Sequence, residues 1–250
     1  MVSPKTMKSA KLAFLKEPLS SKEWRNRMSD DIGVFEAMYQ LRAMRRFKPD
    51  PVPDGLIWKI LEAGTKAPSG SNSQVWRFIV VRDLDGKRFI QERYKRAWDR
   101  YAQANLEAAA AKNPPPAKEL GSRLRMARTA AGLAERMHET PVLLLVCMVP
   151  RADLPTVEGR QRNPAGLYAS IFPAVQNMLL AVRALGLGAV LTTLHLLYED
   201  EIKERFGIPS EVDTVALLPI GYPKGKFGPT RRRPVHEVTY WEKWGATRSR

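Results

Sequence analysis

The 250-residue sequence holds one cysteine and three histidines. It has no apolar run near the ~18 residues that a membrane-spanning helix needs. Each scarcity excludes something. A single thiol forms no internal disulfide, and Cys147 lies inside the apolar run Val142–Val149, so a buried core thiol and a reducing compartment are expected. His138, His195 and His236 are scattered without cysteine or carboxylate neighbours at ligand spacing, so no metal site is expected. The basic N-terminus, with Lys5, Lys8, Lys11, Lys16 and Lys22, lacks the apolar stretch of a secretory signal. No GxSxG elbow marks a hydrolase. These features predict a soluble, cytoplasmic protein. Acidic residues are also scarce, at 26 against 41 lysines and arginines, for a formal charge of +15. That excess points to anionic partners: nucleic acid, a membrane surface or phosphorylated small molecules.

Residues 1–30 are polar, basic and aperiodic, and read as an arm ahead of one domain over 31–250. Val34, Phe35, Met38 and Leu41 recur at helical spacing. Asp30 or Asp31 caps that helix, and it ends near Arg46 or Phe47, ahead of Pro49, Pro51 and Pro53. A second helix follows Pro53, with Leu56, Ile57, Ile60 and Leu61 as its inner face. Ala67–Gln74 is loop and Trp76–Asp83 a strand. A helical excursion over 84–140 is broken by Asn113–Pro116. Val142–Val149 is apolar on both faces and reads as a central strand. A loop with Gly159 and Gly166 leads to an apolar helix over Leu167–Leu185. A short strand Gly188–Thr193, a helix over 199–206 and a strand Thr214–Pro223 follow. Short strands between long helical stretches favour an α+β architecture, helices around one sheet, over a doubly wound nucleotide fold.

Two phosphate-binding patterns fail on inspection. The glycines of Gly186–Gly188 follow a helix and precede a strand, the reverse of a dinucleotide fingerprint, and Leu191 stands where its third glycine belongs. Gly221–Lys226 has three residues between its glycines where a phosphate loop has four, and Phe227 replaces the Ser or Thr after the lysine. A nucleic-acid surface would interleave basic and aromatic residues, but Tyr94, Trp98 and Tyr101 share one helical face away from most charges.

Four features remain. Arg42 and Arg45 stand three apart at a predicted helix end, so their guanidinium groups share a face. Arg231 and Arg233 stand two apart on a proline-flanked segment that, if extended, puts both on one side. Pro68, Ser69 and Asn72 belong to a loop of small residues with backbone donors. Thr192 and Thr193 end a strand near Gly186 and Gly188. Guanidinium forks suit a nearly dianionic phosphate, and small residues with backbone donors suit the edge of a planar heterocycle.

Leu41–Pro53 followed by Leu61–Val81 resembles the N-terminal signature of the nitroreductase family, while Leu185–Thr193 and the run from Gly221 through Trp241 resemble its C-terminal signatures. The resemblance spans about residues 33–244. It implies a three-layer fold with a mainly antiparallel sheet, and FMN bound at the interface of an intertwined homodimer with shared active sites. It also implies a ping-pong reaction, in which NAD(P)H reduces the flavin and a small-molecule acceptor such as a nitroaromatic or quinone reoxidises it. No nucleic acid or membrane partner is implied. By position, Arg42 and Arg45 with Arg231 and Arg233 would hold the ribityl phosphate, with Ala43 a further cofactor-binding position; Pro68, Ser69 and Asn72 would line the flavin; Thr192, Thr193 and Leu194 would offer N–H groups to the ring edge. No catalytic acid is assigned, because the flavin carries the hydride chemistry.

Two departures stand out: Leu41, Arg42 and Ala43 occupy the place of the family's common Arg-Arg-Ser, and Thr193 sits where some members have an acid. The excursion over 84–140 either covers the pocket or packs between subunits, with Tyr94, Trp98 and Phe172 as candidate pocket residues. Alternatives are a same-fold flavoenzyme for dehalogenation, enone reduction or flavin breakdown, a flavin-binding protein without turnover, and, on charge alone, a nucleic-acid-binding module.

Overall fold

The structure is a computed structural model that describes residues 32–110, 117–150 and 164–248. The N-terminal arm, the Asp30/Asp31 cap, the Asn113–Pro116 break and the Gly159 loop lie outside them. Its elements run in the order α1 Val34–Gln40, α2 Asp54–Thr65, β1 Trp76–Val81, α3 Leu84–Ala110, α4 Ala117–Arg136, β2 Val142–Met148, α5 Phe172–Ala184, β3 Gly188–Ala189, α6 Glu199–Phe206 and β4 Asp213–Gly221. The strands form one antiparallel sheet in the order β1-β2-β4-β3. The expected α+β architecture is thus present, with β2 inside the sheet.

All seven residues of β2 are buried, and their alternation builds two cores. Val142, Leu144, Val146 and Met148 meet Ile57 and Ile60 of α2 and Val175, Met178 and Val182 of α5. Leu143, Leu145 and Cys147 point the other way, to Ile90 and Tyr94 of α3, Leu133 of α4 and Ile202 of α6. A strand apolar on both faces requires cover on both sides, which fixes three layers. Each buried leucine contributes about 1.5–3 kcal/mol of burial free energy.

Two sequence expectations need correction. The helix over Leu167–Leu185 begins only at Phe172; Pro164–Ser170 is a 3-10 segment, with Pro173 in the first turn of α5. More consequential is α1, which ends at Gln40 and not near Arg46. Beyond it the chain turns along the sheet edge. The Met44 N–H donates to Ala189 O (2.9 Å), the Lys48 N–H to Tyr222 O (2.8 Å), and Arg46 O accepts from the Lys224 N–H (3.0 Å). Bonds at every second residue are a strand's habit, and these tertiary partners outcompete helix continuation.

Glycines make that approach possible. A Cβ on Gly188 would sit 2.9 Å from Met44 Cβ, and one on Gly221 would sit 2.8 Å from Pro141 Cδ and 3.2 Å from Phe47 Cβ. The glycines that imitate a nucleotide fingerprint therefore have other tasks. Gly186, at φ +73°, turns the chain after α5, and Gly188 admits the 42–47 segment.

Candidate functional site

The 42–46 segment forms one wall of an open groove of about 800 Å³. Arg42, Ala43, Met44, Arg45 and Arg46 face the loop residues Gly225, Lys226, Pro229, Thr230, Arg231 and Arg232, with Arg125, Met126 and Thr129 of α4 as a further side. A smaller cavity of about 60 Å³ continues along α4 past Gly132, Leu133 and Arg136, and it shares Arg45 and Arg46 with the groove. The helical spacing of 125, 129, 132 and 136 puts one face of α4 along both.

Three ties hold the 224–232 loop in place. Its Lys224 N–H bonds Arg46 O, and Phe227 stacks under the Arg183 guanidinium, 3.9 Å from Cζ to ring centroid. Thr230 donates through both its N–H (2.9 Å) and its hydroxyl (3.1 Å) to Tyr39 O. Arg183 is itself buried on α5 and donates to Gln40 Oε1. A core arginine thus anchors a loop of exposed ones. Cation–π stacking at a partly desolvated site contributes about 1–2 kcal/mol.

The residues expected to bind phosphate are only partly brought together. Arg42 and Arg45 do share the groove, but not through a helical face, since α1 has already ended. Arg231 lines the groove together with Arg232, which the sequence pattern does not single out; Arg233 is not among the lining residues. The Arg232 guanidinium donates to Arg231 O (2.8 Å), and the segment is paired in no strand, so the two-residue period of a β-strand does not apply. None of the groove's cationic side chains has an ion-pair partner among the described residues.

The second half of the expected site lies past β3. The Thr192 N–H already donates to Leu217 O (3.0 Å), so it is not available to a ligand, contrary to expectation. Thr193 and Leu194 stand at the start of the 3-10 turn Leu194–Tyr198, where the first N–H groups have no acceptor within the turn. Tyr94 is 4% exposed and belongs to the second core. Its hydroxyl pairs with the Thr192 hydroxyl at 3.0 Å. Burial raises the Tyr94 pKa, against the opposing pull of the Thr192 hydrogen bond and the nearby Arg45 charge. Arg45 therefore links the groove electrostatically to the Thr192 turn, and Tyr94 positions that turn from beneath. Trp98 packs on the same core with its ring 5.9 Å from Tyr101, and Phe172 pairs with Tyr168 at 6.0 Å; neither lines the groove.

The loop with Pro68, Ser69 and Asn72 is tied to the 3-10 segment ahead of α5, because the Gly70 N–H donates to the Ser170 hydroxyl (3.0 Å). Its Ser69 hydroxyl accepts from the Gln74 N–H (3.1 Å). Ser71, Asn72 and Gln74 have positive φ values of 54°, 52° and 46°, a strained run of the kind found where a loop must present its backbone.

Three titratable groups lie outside the groove lining. His195 is fully buried, and neither ring nitrogen has a partner among the described residues. Burial pushes its pKa down to about 4, with the Glu199 carboxylate pulling the other way, so the ring is neutral at pH 7. Glu199 is held below the usual carboxylate range: burial disfavours its charge, but hydrogen bonds from Thr214 and Lys203 outweigh it. Cys147, 1% exposed, is pushed up to about 11 by burial, which removes it as a nucleophile.

An antiparallel three-layer α+β protein with an arginine-lined groove against the sheet edge is the class these features define. The chain belongs to the Nitroreductase family, whose model matches residues 39–222. It is 31% identical over 211 residues to an NADH dehydrogenase of Thermus thermophilus, covering 82% of this chain and 94% of the relative. It is 28% identical to a 5,6-dimethylbenzimidazole synthase of Rhodospirillum rubrum, covering 76% of this chain and 82% of the relative. Among solved structures, it resembles oxidized iodotyrosine deiodinase bound to FMN and 3-iodo-L-tyrosine, with a TM-score of 0.62, 26% identity, and coverage of 84% of this chain and 99% of that one.

Proposed function

We propose that the chain is an FMN-dependent oxidoreductase that takes hydride from NAD(P)H and passes it to small electrophilic acceptors such as nitroaromatics or quinones. The observation that carries this reading is the convergence of Arg42, Arg231 and Arg232 on one groove, with no carboxylate among its described lining residues to neutralise them. A flavin phosphate suits that cluster: guanidinium forks give it paired, charge-assisted hydrogen bonds. FMN-bound relatives of the same fold support the choice of cofactor.

In this reading the chain's own residues bind and orient. Arg42, Arg231 and Arg232 hold the phosphate, and Arg45 extends positive charge from the groove toward Thr192. The Thr193 and Leu194 N–H groups, at the start of the 3-10 turn, would be the donors offered to the ring edge, where fixed dipoles would stabilise negative charge. Bound FMN would supply the hydride chemistry itself.

The reading includes a homodimer. Phe35 (67%), Trp58 (69%) and Trp244 (89%) are exposed apolar side chains of a size that a second copy would cover. The alternatives of dehalogenation and flavin breakdown draw support from the deiodinase and synthase relatives. Anaerobic mixing of the flavin-loaded protein with NADPH or NADH, followed by addition of a nitroaromatic, tests the assignment. Bleaching of the flavin and its return with acceptor are expected. A bound flavin that neither nucleotide reduces sinks the oxidoreductase reading and favours a carrier or a flavin-degrading enzyme.

A further inference from the structure

The groove holds more charge than one FMN phosphate can use. Among the described residues its lining carries seven cationic side chains and no acid. A phosphate monoester brings a charge of about −1.5 to −2 at neutral pH. About five positive charges then remain in one concavity, and their mutual repulsion favours a second anion. The volume agrees, since about 800 Å³ lies toward the top of the roughly 300–1,000 Å³ that small-molecule sites span.

The surplus has a place. Arg125 stands on α4, Arg46 on the 42–46 segment and Lys226 on the 224–232 loop, one from each of the three stretches that line the groove. None of the three has an ion-pair partner among the described residues, and Arg125 and Lys226 are exposed. Met126 and Thr129 beside Arg125 give that wall apolar surface and a hydroxyl. Such a mixture suits a sugar phosphate better than an inorganic ion, because it offers a place for the ribose as well as for the charge.

We propose that Arg125, Lys226 and Arg46 form a second anion subsite that takes the 2′-phosphate of NADPH, so that this protein selects NADPH over NADH. The proposal rests on the FMN reading above, but it adds a ligand and three residues to it. NADH and NADPH share their pyrophosphate, so the subsite must act on the one group that distinguishes them.

The test is a steady-state comparison of the flavin-loaded protein with each reductant. Wild type is expected to show a kcat/KM for NADPH at least about tenfold above that for NADH, the size of one charge-assisted contact. Arg125→Ala and Lys226→Ala should each raise the KM for NADPH about tenfold, with Arg125→Lys in between, while the KM for NADH and the flavin absorbance stay as they are. Adenosine 2′,5′-bisphosphate should compete with NADPH in wild type, and 5′-AMP should not. Equal efficiency with both reductants overturns the subsite, as does a pair of variants that lose FMN, since the cations would then belong to the cofactor. A wild-type protein that binds no flavin at all fails the underlying function instead, and the absorbance spectrum tells the two failures apart.

Discussion

Replacing His195 by leucine should remove a specific piece of acid sensitivity. The ring is fully buried and has no hydrogen-bond partner among the described residues, with its pKa lowered from 6.5 to about 4. An unfolded chain binds a proton at His195 below about pH 6.5, whereas the folded chain resists it down to about pH 4. In that window the unfolded state binds more protons, so stability falls as pH falls and levels out below the folded value. The full shift corresponds to about 3 kcal/mol, and about 2 kcal/mol of it is lost between pH 7 and pH 5.

His195→Leu keeps the volume and discards both unpaired nitrogens. The variant should match or exceed wild type by about 1 kcal/mol at pH 7 and lead by about 3 kcal/mol near pH 5. Urea unfolding at saturating FMN, run on both proteins from pH 4.5 to 8, gives the difference curve. Carboxylates common to the two proteins cancel in it. Parallel curves, with no widening gap below pH 6.5, would refute the reasoning and mean that His195 finds a partner or stays solvated.

Tyr94→Phe should lose the hydroxyl pair with Thr192 and about 1 kcal/mol of stability, read as a lower urea midpoint at unchanged slope; an unmoved midpoint counts against that contact. Gly188→Ala should cost about 1–3 kcal/mol and weaken cofactor binding together with stability, because its Cβ would press on Met44 and displace the 42–46 wall. Gly55→Ala, with nothing within 4 Å of its added methyl, should instead gain up to about 1 kcal/mol in a thermal melt. The opposite signs of those two glycine substitutions test whether close approach, and not backbone freedom, accounts for Gly188.

The parts of the fold that come from local chemistry are visible in the amino-acid order. Val142–Met148 is apolar on both faces and turns out to feed two cores. Pro53 ahead of Asp54 starts α2, and its Ile57 and Ile60 face inward as spaced. The features hidden from the order are tertiary. Val34, Phe35 and Met38 have helical spacing, yet they are 56%, 67% and 47% exposed, so their periodicity does not mark a core face in the single chain. The helix stops at Gln40 because Ala189, Tyr222 and Lys224 supply backbone partners to Met44, Lys48 and Arg46, and no residue within 41–46 announces them.

Among Arg231, Arg232 and Arg233, an assumed strand period selects the outer two; the irregular backbone brings Arg231 and Arg232 to the groove. Arg125 and Arg136 lie nearly a hundred residues from the loop they face, beyond the reach of any local pattern. Tyr94 reads as an aromatic for a pocket, but the second core claims its ring and leaves only the hydroxyl at the site. For the Thr192 N–H, the bridge to Leu217 takes a donor that the sequence leaves open.

The arginine groove as a flavin-phosphate site is tested most directly by titrating FMN into apo-protein while following its fluorescence, in wild type and in the Arg42→Ala/Arg232→Ala double variant. Wild type should bind FMN tightly, and the double variant about a hundredfold or more weaker, the loss of two charge-assisted contacts. A wild type that takes up no FMN, or a double variant with undiminished affinity, would contradict the assignment.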